Sequence, residues 1–239
     1  MSVERRDLKD RLAALKSELD GQGSAVAAAV DRAVEAVFEK NADLAAEVHR
    51  GEESIDALDV QIEKRAVRLL VVAAESVCDL DEADIRLVLT IVKVNNELER
   101  IADLAVLIAE QTEQVSSLEE EPPVKFRVMA NSVIGMVQNT SASFAALDVD
   151  AARLVLSADD ATEAFKLAIL REIEEALADG TMSVDIAFAS HTIAAALGRM
   201  ADHCTNIAEQ VIYVGTGKII RHQDDKWAVL DAPEDEDNA

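Results

Sequence analysis

The sequence has few residues that interrupt helices and few aromatic side chains. Its 239 residues include only 3 prolines, 8 glycines, 5 phenylalanines, 1 tryptophan and 1 tyrosine. Proteins average roughly 7% glycine and 5% proline, and β-sandwiches and barrels need turn residues between many short strands. Half of the residues are nevertheless hydrophobic, so the apolar mass consists of Ala, Val, Leu and Ile. This composition excludes the all-β class and favours long helices.

Cysteine and positive charge are also scarce. Cys78 and Cys204 are too few for a disulfide framework, and the charged N-terminus lacks the apolar stretch of a signal peptide. Both observations predict a cytoplasmic protein with reduced thiols. The formal net charge is −24, which repels phosphate backbones and anionic bilayers, so nucleic acid is not an expected partner. The longest charge-free stretch, residues 128–147, is too polar to span a bilayer, so no membrane insertion is expected.

Helix-breaking residues divide the chain into six segments. Pro122 and Pro123 separate two blocks, because a helix interior seldom tolerates proline. Asp, Asn, Thr or Gly, which cap helix ends, mark the other breaks. Gly21 and Gly23 lie within the first segment and are expected to fray or kink it. The six helices are predicted at 3–40, 43–77, 81–118, 123–147, 150–179 and 183–217.

The third and sixth segments carry the clearest hydrophobic pattern. Mostly apolar residues follow one another at alternating spacings of four and three, which makes a narrow seam that a long helix must bury against other helices. The seam of the third segment comprises Leu87, Ile91, Val94, Leu98, Ile101, Ala105 and Ile108. That of the sixth comprises Ile186, Ser190, Ile193, Leu197, Met200, Cys204, Ile207, Val211 and Val214.

The two blocks repeat one another. LERIAD at residues 98–103 is echoed 99 positions later by LGRMAD at 197–202. NAD at 41–43 similarly matches DVD at 148–150, at an offset of 107. A repeat of this length is one supersecondary unit used twice, here a three-helix hairpin.

These observations predict an all-α fold of two tandem antiparallel three-helix bundles. The first repeat is expected at residues 1–120 and the second at 121–222. Residues 223–239 are rich in acidic residues and are expected to form a disordered, solvated tail.

Three stretches, taken with the duplication, resemble one known family. They are VHRGEESIDAL and the following IE within 48–63, DIRLV running to LERIAD within 84–103, and RMADHCTNIAE running to GKIIRH within 199–222. In order, spacing and duplication, they resemble the PhoU family of phosphate-signalling regulators over roughly residues 5–222.

This resemblance implies a fold and a function. The fold is two three-helix bundles with pseudo-twofold symmetry, and the implied role is non-enzymatic. The resemblance implies a negative regulator of phosphate uptake and of the phosphate-starvation response, acting between a phosphate ABC transporter and a sensor histidine kinase. The expected partners are therefore the transporter ATPase and the kinase, and a homodimer is compatible with this role.

The resemblance also implies a metal site. The family motif Glu/Asp-x-x-x-Asp binds multinuclear iron or zinc in some members, and residues at i and i+4 share a helix face, so both carboxylates can reach one cation. Glu99 and Asp103 fit the first copy. In the second, Asp202 keeps the final acid but Gly198 stands where the first acid is expected. A multinuclear iron or zinc site is thus expected at the first repeat, and the lost carboxylate argues against the second.

Other interpretations of these residues stay open. Asn206 and Glu209 lie where they could supply replacement oxygens beside Asp202, with His203 flanking them. An acidic stripe beside an apolar seam is also what an ordinary solvated helix face looks like. Cys204 falls on the seam and is expected in the core.

Two alternative functions also remain at this point. One is a carboxylate-bound metal store or helical-bundle metalloenzyme, which would need more inward carboxylates and the Glu-x-x-His pattern that the sequence lacks. The other is an accessory domain of another ion transporter.

Overall fold

The computed structural model describes residues 3–75, 80–117, 123, 125–223 and 226–230, with the backbone alone at 3, 4, 222, 223 and 226–230. Six helices precede a short β-hairpin. The helices are α1 (Val3–Glu39), α2 (Ala42–Glu75), α3 (Glu82–Ser116), α4 (Lys125–Ala146), α5 (Val149–Ala178) and α6 (Val184–Thr216). The strands are β1 (Ile219–Gln223) and β2 (Lys226–Leu230).

Short polar side chains set the helix boundaries near the predicted positions. Asp81 caps α3 by accepting a hydrogen bond from the backbone N–H of Asp84, whose side chain accepts one from the Asp81 N–H in return. At the start of α5, Asp148 accepts hydrogen bonds from the backbone N–H groups of Asp150 and Ala151, and at the start of α6, Ser183 accepts one from that of Ile186. Gly217 ends α6 in the left-handed conformation, at φ 73°, where a side chain would be strained. The capping roles of Asp81, Asp148 and Gly217 agree with the sequence prediction, whereas the N-cap of α6 is Ser183 and not a residue of the predicted break at 179–181.

The helices form two three-helix bundles that lie side by side. Within the described residues, α1, α2 and α3 pack against one another, as do α4, α5 and α6. The bundles meet where α3 packs on α6 and α1 on α4. Helices α2 and α5 are the outer layers, and in the part of the chain that the structure describes each contacts only the two other helices of its own bundle. The predicted all-α, two-repeat architecture is confirmed.

The core is aliphatic and follows the two predicted seams. Of the seam residues, only Leu87 and Val214 are not fully buried. Cys204 is fully buried, as expected, and burial raises the pKa of its thiol to about 12. This thiol is therefore a neutral core group. Since both seams face the junction between the bundles, the pattern read from sequence marks the centre of the molecule.

The prediction of a disordered C-terminal tail is wrong for residues 223 and 226–230. Strands β1 and β2 pair antiparallel, with Ile219 opposite Leu230 and Gln223 opposite Lys226. The prediction counted acidic residues over the whole segment and so overlooked two short runs rich in strand-forming residues, IIRHQ and KWAVL. Residues 231–239, and the predicted repeat boundary between 120 and 121, lie outside the described residues.

The two glycines of α1 have different surroundings, although the helix runs through both without a break. A Cβ atom built on Gly23 would lie 2.8 Å from the Cβ of Ser141 in α4 and still closer to its hydroxyl. A Cβ built on Gly21 would meet nothing within 4 Å. The expected fraying or kink does not occur. Gly23 instead has a role in packing, because it lets α1 and α4 approach closely at the junction of the repeats.

Alanine at these two positions is expected to have opposite effects. Gly23→Ala should lower the free energy of unfolding by about 1–3 kcal/mol, because it forces two helices apart. Gly21→Ala should raise it by up to about 1 kcal/mol, because alanine favours the helix where space is open. Urea unfolding followed by circular dichroism measures both variants. Two changes of the same sign would contradict the close approach of α1 and α4.

Candidate functional site

Four carboxylates meet in the groove between α2 and α3, and we call them the first acidic cluster: Glu52, Asp56, Glu99 and Asp103. Oxygen atoms of Glu52, Asp56 and Asp103 lie within 4.8 Å of one another. Glu99 is one turn before Asp103 on α3 and is electrostatically coupled to both Asp103 and Asp56. The cluster therefore joins two Glu-x-x-x-Asp pairs, one from each helix.

Helix geometry explains why these side chains converge. Residues four apart lie on one face of a helix, so each pair points the same way. Ile55, one position before Asp56, and Ala102, one position before Asp103, are both buried. The acids thus lie at the edge of the apolar faces through which α2 and α3 pack, where they reach toward each other across the groove.

The four carboxylates of the first acidic cluster face one arginine, Arg100, which pairs with Glu99 and also with Asp103 at 3.8 Å, so an excess of negative charge remains. Burial raises the pKa of Glu52, and the carboxylate of Asp56 raises it further. Burial also raises the pKa of Glu99, with Asp103 as the next cause. The Oε2 atom of Glu99 is buried and accepts no hydrogen bond, and Arg100 Nε lies 3.5 Å from it. A buried carboxylate oxygen without a donor is costly unless some cation neutralises it.

These residues fit a metal ion. Carboxylate oxygens are ligands for iron and zinc, and the arrangement supplies them from two rigid helices. Of the predicted ligands, Asp103 lies in the close triad and Glu99 beside it. Glu52 and Asp56 were missed as ligands, although they show the same Glu-x-x-x-Asp spacing in the sequence.

The corresponding groove between α5 and α6 contains Asp202, the third predicted ligand. Its neighbours differ from those of Asp103, because Lys166 of α5 lies beside it and forms an ion pair with Glu163. Partial desolvation raises the pKa of Asp202, and the positive charge of Lys166 opposes that shift. Arg199 stands at the position of Arg100, so Lys166 gives the second groove one cation more than the first, and its residues do not fit a metal as the first cluster does.

The three neighbours that could have completed the second groove face other partners. His203 Nδ1 lies 2.6 Å from Glu97 Oε2 of α3, and Asn206 Nδ2 donates to the same oxygen at 3.1 Å. Glu209 pairs with Arg221. Asn206 and Glu209 thus have partners other than Asp202 in the structure, and Glu97 links the two bundles.

A family model described as "PhoU domain" matches residues 20–112 and again residues 126–211. Together the two matches cover both three-helix units and most of the chain. The chain belongs to the PhoU family.

Individual PhoU relatives agree with this assignment. The "Phosphate-specific transport system accessory protein PhoU homolog 1" of Thermotoga maritima is 32% identical over 213 residues, which are 87% of this chain and 88% of the relative. The crystal structure of PhoU from Pseudomonas aeruginosa superposes with a TM-score of 0.82 at 28% identity, over 87% of this chain and 99% of that chain. The phosphate transport regulatory protein PhoU from Streptococcus pneumoniae shares the fold, with a TM-score of 0.82 at 22% identity.

PhoU relatives are named as accessory or regulatory proteins rather than as enzymes. As a member of this family, the chain is an accessory protein of phosphate transport rather than an enzyme. Among the helices of the described ranges, none is both long enough and apolar enough to cross a bilayer.

Proposed function

We propose that this chain restrains phosphate uptake and the phosphate-starvation response by docking in the cytoplasm onto a phosphate ABC transporter and a sensor histidine kinase. The observation that carries the proposal is the match of the PhoU family to both repeats. Relatives over most of the chain's length are named as accessory proteins of phosphate-specific transport. The function is therefore one of binding and release between protein partners.

The surface of the molecule supports such docking. The chain carries 47 acidic against 23 basic residues, on long helices whose outer faces are exposed. A strongly acidic surface accelerates encounter with basic patches and sets the choice of partner more than the final affinity. The transporter ATPase and the kinase would accordingly present basic docking surfaces to this chain.

A metal ion at the first acidic cluster is the second part of the proposal. Glu52, Asp56, Glu99 and Asp103 would hold iron or zinc, and the ion would neutralise charge that α2 and α3 otherwise bring together. Bound metal would fix α2, an outer helix, against α3. The cluster would thus stabilise the surface that α2 offers to a partner.

Deletion of the gene tests the regulatory role. Alkaline phosphatase, an output of the starvation response, should become high in phosphate-replete medium when the gene is deleted. A plasmid carrying the wild-type gene should return it to the repressed level. An affinity pull-down at high and low phosphate should recover the transporter ATPase and the kinase.

Two results would contradict this role. One is phosphatase activity that stays low after deletion in replete medium. The other is a pull-down that recovers components of an unrelated ion transporter, since the chain would then be an accessory protein of that system.

A further inference from the structure

The two repeats can be aligned residue by residue. Helix α5 follows α2 at an offset of 107, and α6 follows α3 at an offset of 99. Burial confirms both registers, because buried residues of the first repeat fall on buried residues of the second. Such pairs are Val48 with Val155, Ile62 with Ile169, Leu98 with Leu197, and Ile101 with Met200.

Three acids of the first acidic cluster have acidic counterparts in the second repeat. In this register Glu52, Asp56 and Asp103 correspond to Asp159, Glu163 and Asp202. Two other positions close to these acids differ between the repeats.

At those two positions the second repeat has lost negative charge. Gly198 stands in place of Glu99, and Lys166 stands in place of Asp59. In the first repeat, Asp59 lies at 2.5 Å from the amide of Asn95, which donates to its Oδ1. The second repeat thus exchanges two negative charges for one positive charge.

The structure shows that the two replacements are coupled. A Cβ atom built on the buried Gly198 would lie 2.8 Å from Cδ of Lys166 and 3.4 Å from its Nζ. The lysine stem therefore occupies the space where the side chain of a residue-198 glutamate would begin. Its ammonium pairs with Glu163, and its side chain is only 26% exposed. Gly198 therefore leaves room for the lysine stem in the position that it occupies in the structure.

We propose that Lys166 is a built-in cation that replaces metal in the second repeat, so that the groove between α5 and α6 is neutralised permanently and binds no metal ion. The complementary statement, that metal binds to the first repeat alone, rests on the function proposed above. One half of the molecule then responds to metal supply and the other half does not.

Charge and space both favour this assignment. A divalent cation between Glu163 and Asp202 would have to displace the ammonium of Lys166 and repel it at close range. It would also lack the fourth carboxylate that Glu99 supplies in the first repeat. The ammonium group of Lys166 is covalently attached to the chain. Unlike a metal ion, it therefore does not depend on the supply of metal or on the loss of protons from the ligands.

Metal binding in a background without the first site tests the proposal. In a chain carrying Asp56→Asn and Asp103→Asn, zinc bound per chain is measured by equilibrium dialysis and elemental analysis. This background should retain no tightly bound zinc. Adding Lys166→Asp and Gly198→Glu, which restores the residue types of the first repeat, should create a stoichiometric zinc site.

The outcomes separate this inference from the proposed first site. If the wild-type chain binds no zinc but the restored variant does, the first site fails and the lysine substitution stands. If the background variant itself holds zinc, and Glu163→Gln with Asp202→Asn releases it, Lys166 does not replace metal. A folded restored variant that gains no zinc would also overturn the proposal.

A second variant tests the charge of Lys166 without relying on the restored zinc site. Lys166→Met retains the stem over Gly198 and removes only the charge. It should lower the melting temperature of the metal-free protein by about 2–4 °C, the shift that corresponds to 1 kcal/mol in a chain of this size. Lys125→Met, which breaks the exposed Lys125–Glu172 pair, is the matched control and should change it less. If Lys166→Met lowers the melting temperature no more than Lys125→Met does, the positive charge of Lys166 does not stabilise the groove.

Discussion

Replacement of Leu197 by alanine is expected to lower the free energy of unfolding by about 2–5 kcal/mol. Leu197 has no exposed surface and lies where both repeats meet. It faces Ile108 of α3, Phe126 of α4 and Ile193 of its own helix around a small apolar cavity. Truncation enlarges that void, and rigid helices on several sides cannot collapse into it. Urea denaturation followed by circular dichroism gives the value.

Leu154→Ala is the matched control for this experiment. It makes the same chemical change on α5, but Leu154 is 72% exposed, so the effect should stay within about 0.5 kcal/mol. Similar decreases in the free energy of unfolding for Leu197→Ala and Leu154→Ala would contradict the packing of α6 at the centre of the molecule.

Removal of two carboxylates from the first acidic cluster is expected to abolish metal-dependent stabilisation. In the wild-type chain, zinc at 100 times its dissociation constant should add about 2.7 kcal/mol to the free energy of unfolding. Asp56→Asn with Asp103→Asn removes one charge from each helix and should eliminate that gain. Without metal, the double variant should be at least as stable as the wild type, because repulsion is relieved. Thermal melts with zinc and with a chelator measure both effects.

The control for that variant changes the same number of charges elsewhere. Asp20→Asn with Asp31→Asn alters two exposed positions on α1 and should leave the zinc-dependent gain intact. A loss of the gain in this control would show that zinc responds to net charge and not to the groove. Retention of the gain in Asp56→Asn with Asp103→Asn would place the metal elsewhere.

The helical architecture follows from patterns that act locally. The spacing of apolar residues in α3 and α6 depends only on helix geometry, so residues such as Leu98 and Leu197 could be assigned to the core without a structure. Asp81, Asp148 and Ser183 act within one turn of their own helices, so the helix boundaries were also predictable. The duplication then predicted two equivalent bundles, but the contacts of α3 with α6 and of α1 with α4 came only from the structure.

The composition of the two grooves depends on contacts between helices and was less predictable. Glu52 and Asp56 have the same spacing as Glu99 and Asp103, but only the packing of α2 on α3 brings the pairs together. Lys166 gives no signal of its own in the sequence. Its role can be recognised only from its contact with Gly198, which lies 32 positions away in the sequence and leaves room for the lysine stem.

The contact of α3 with α6 has a consequence for the history of the protein. Two equivalent helices that bury equivalent seams against each other form what would be a subunit interface if the halves were separate chains. A single three-helix ancestor would have needed to self-associate to cover that face. Fusion into one polypeptide removed the requirement that both subunits be identical. Each half can therefore carry its own acidic groove while the contact between α3 and α6 is kept.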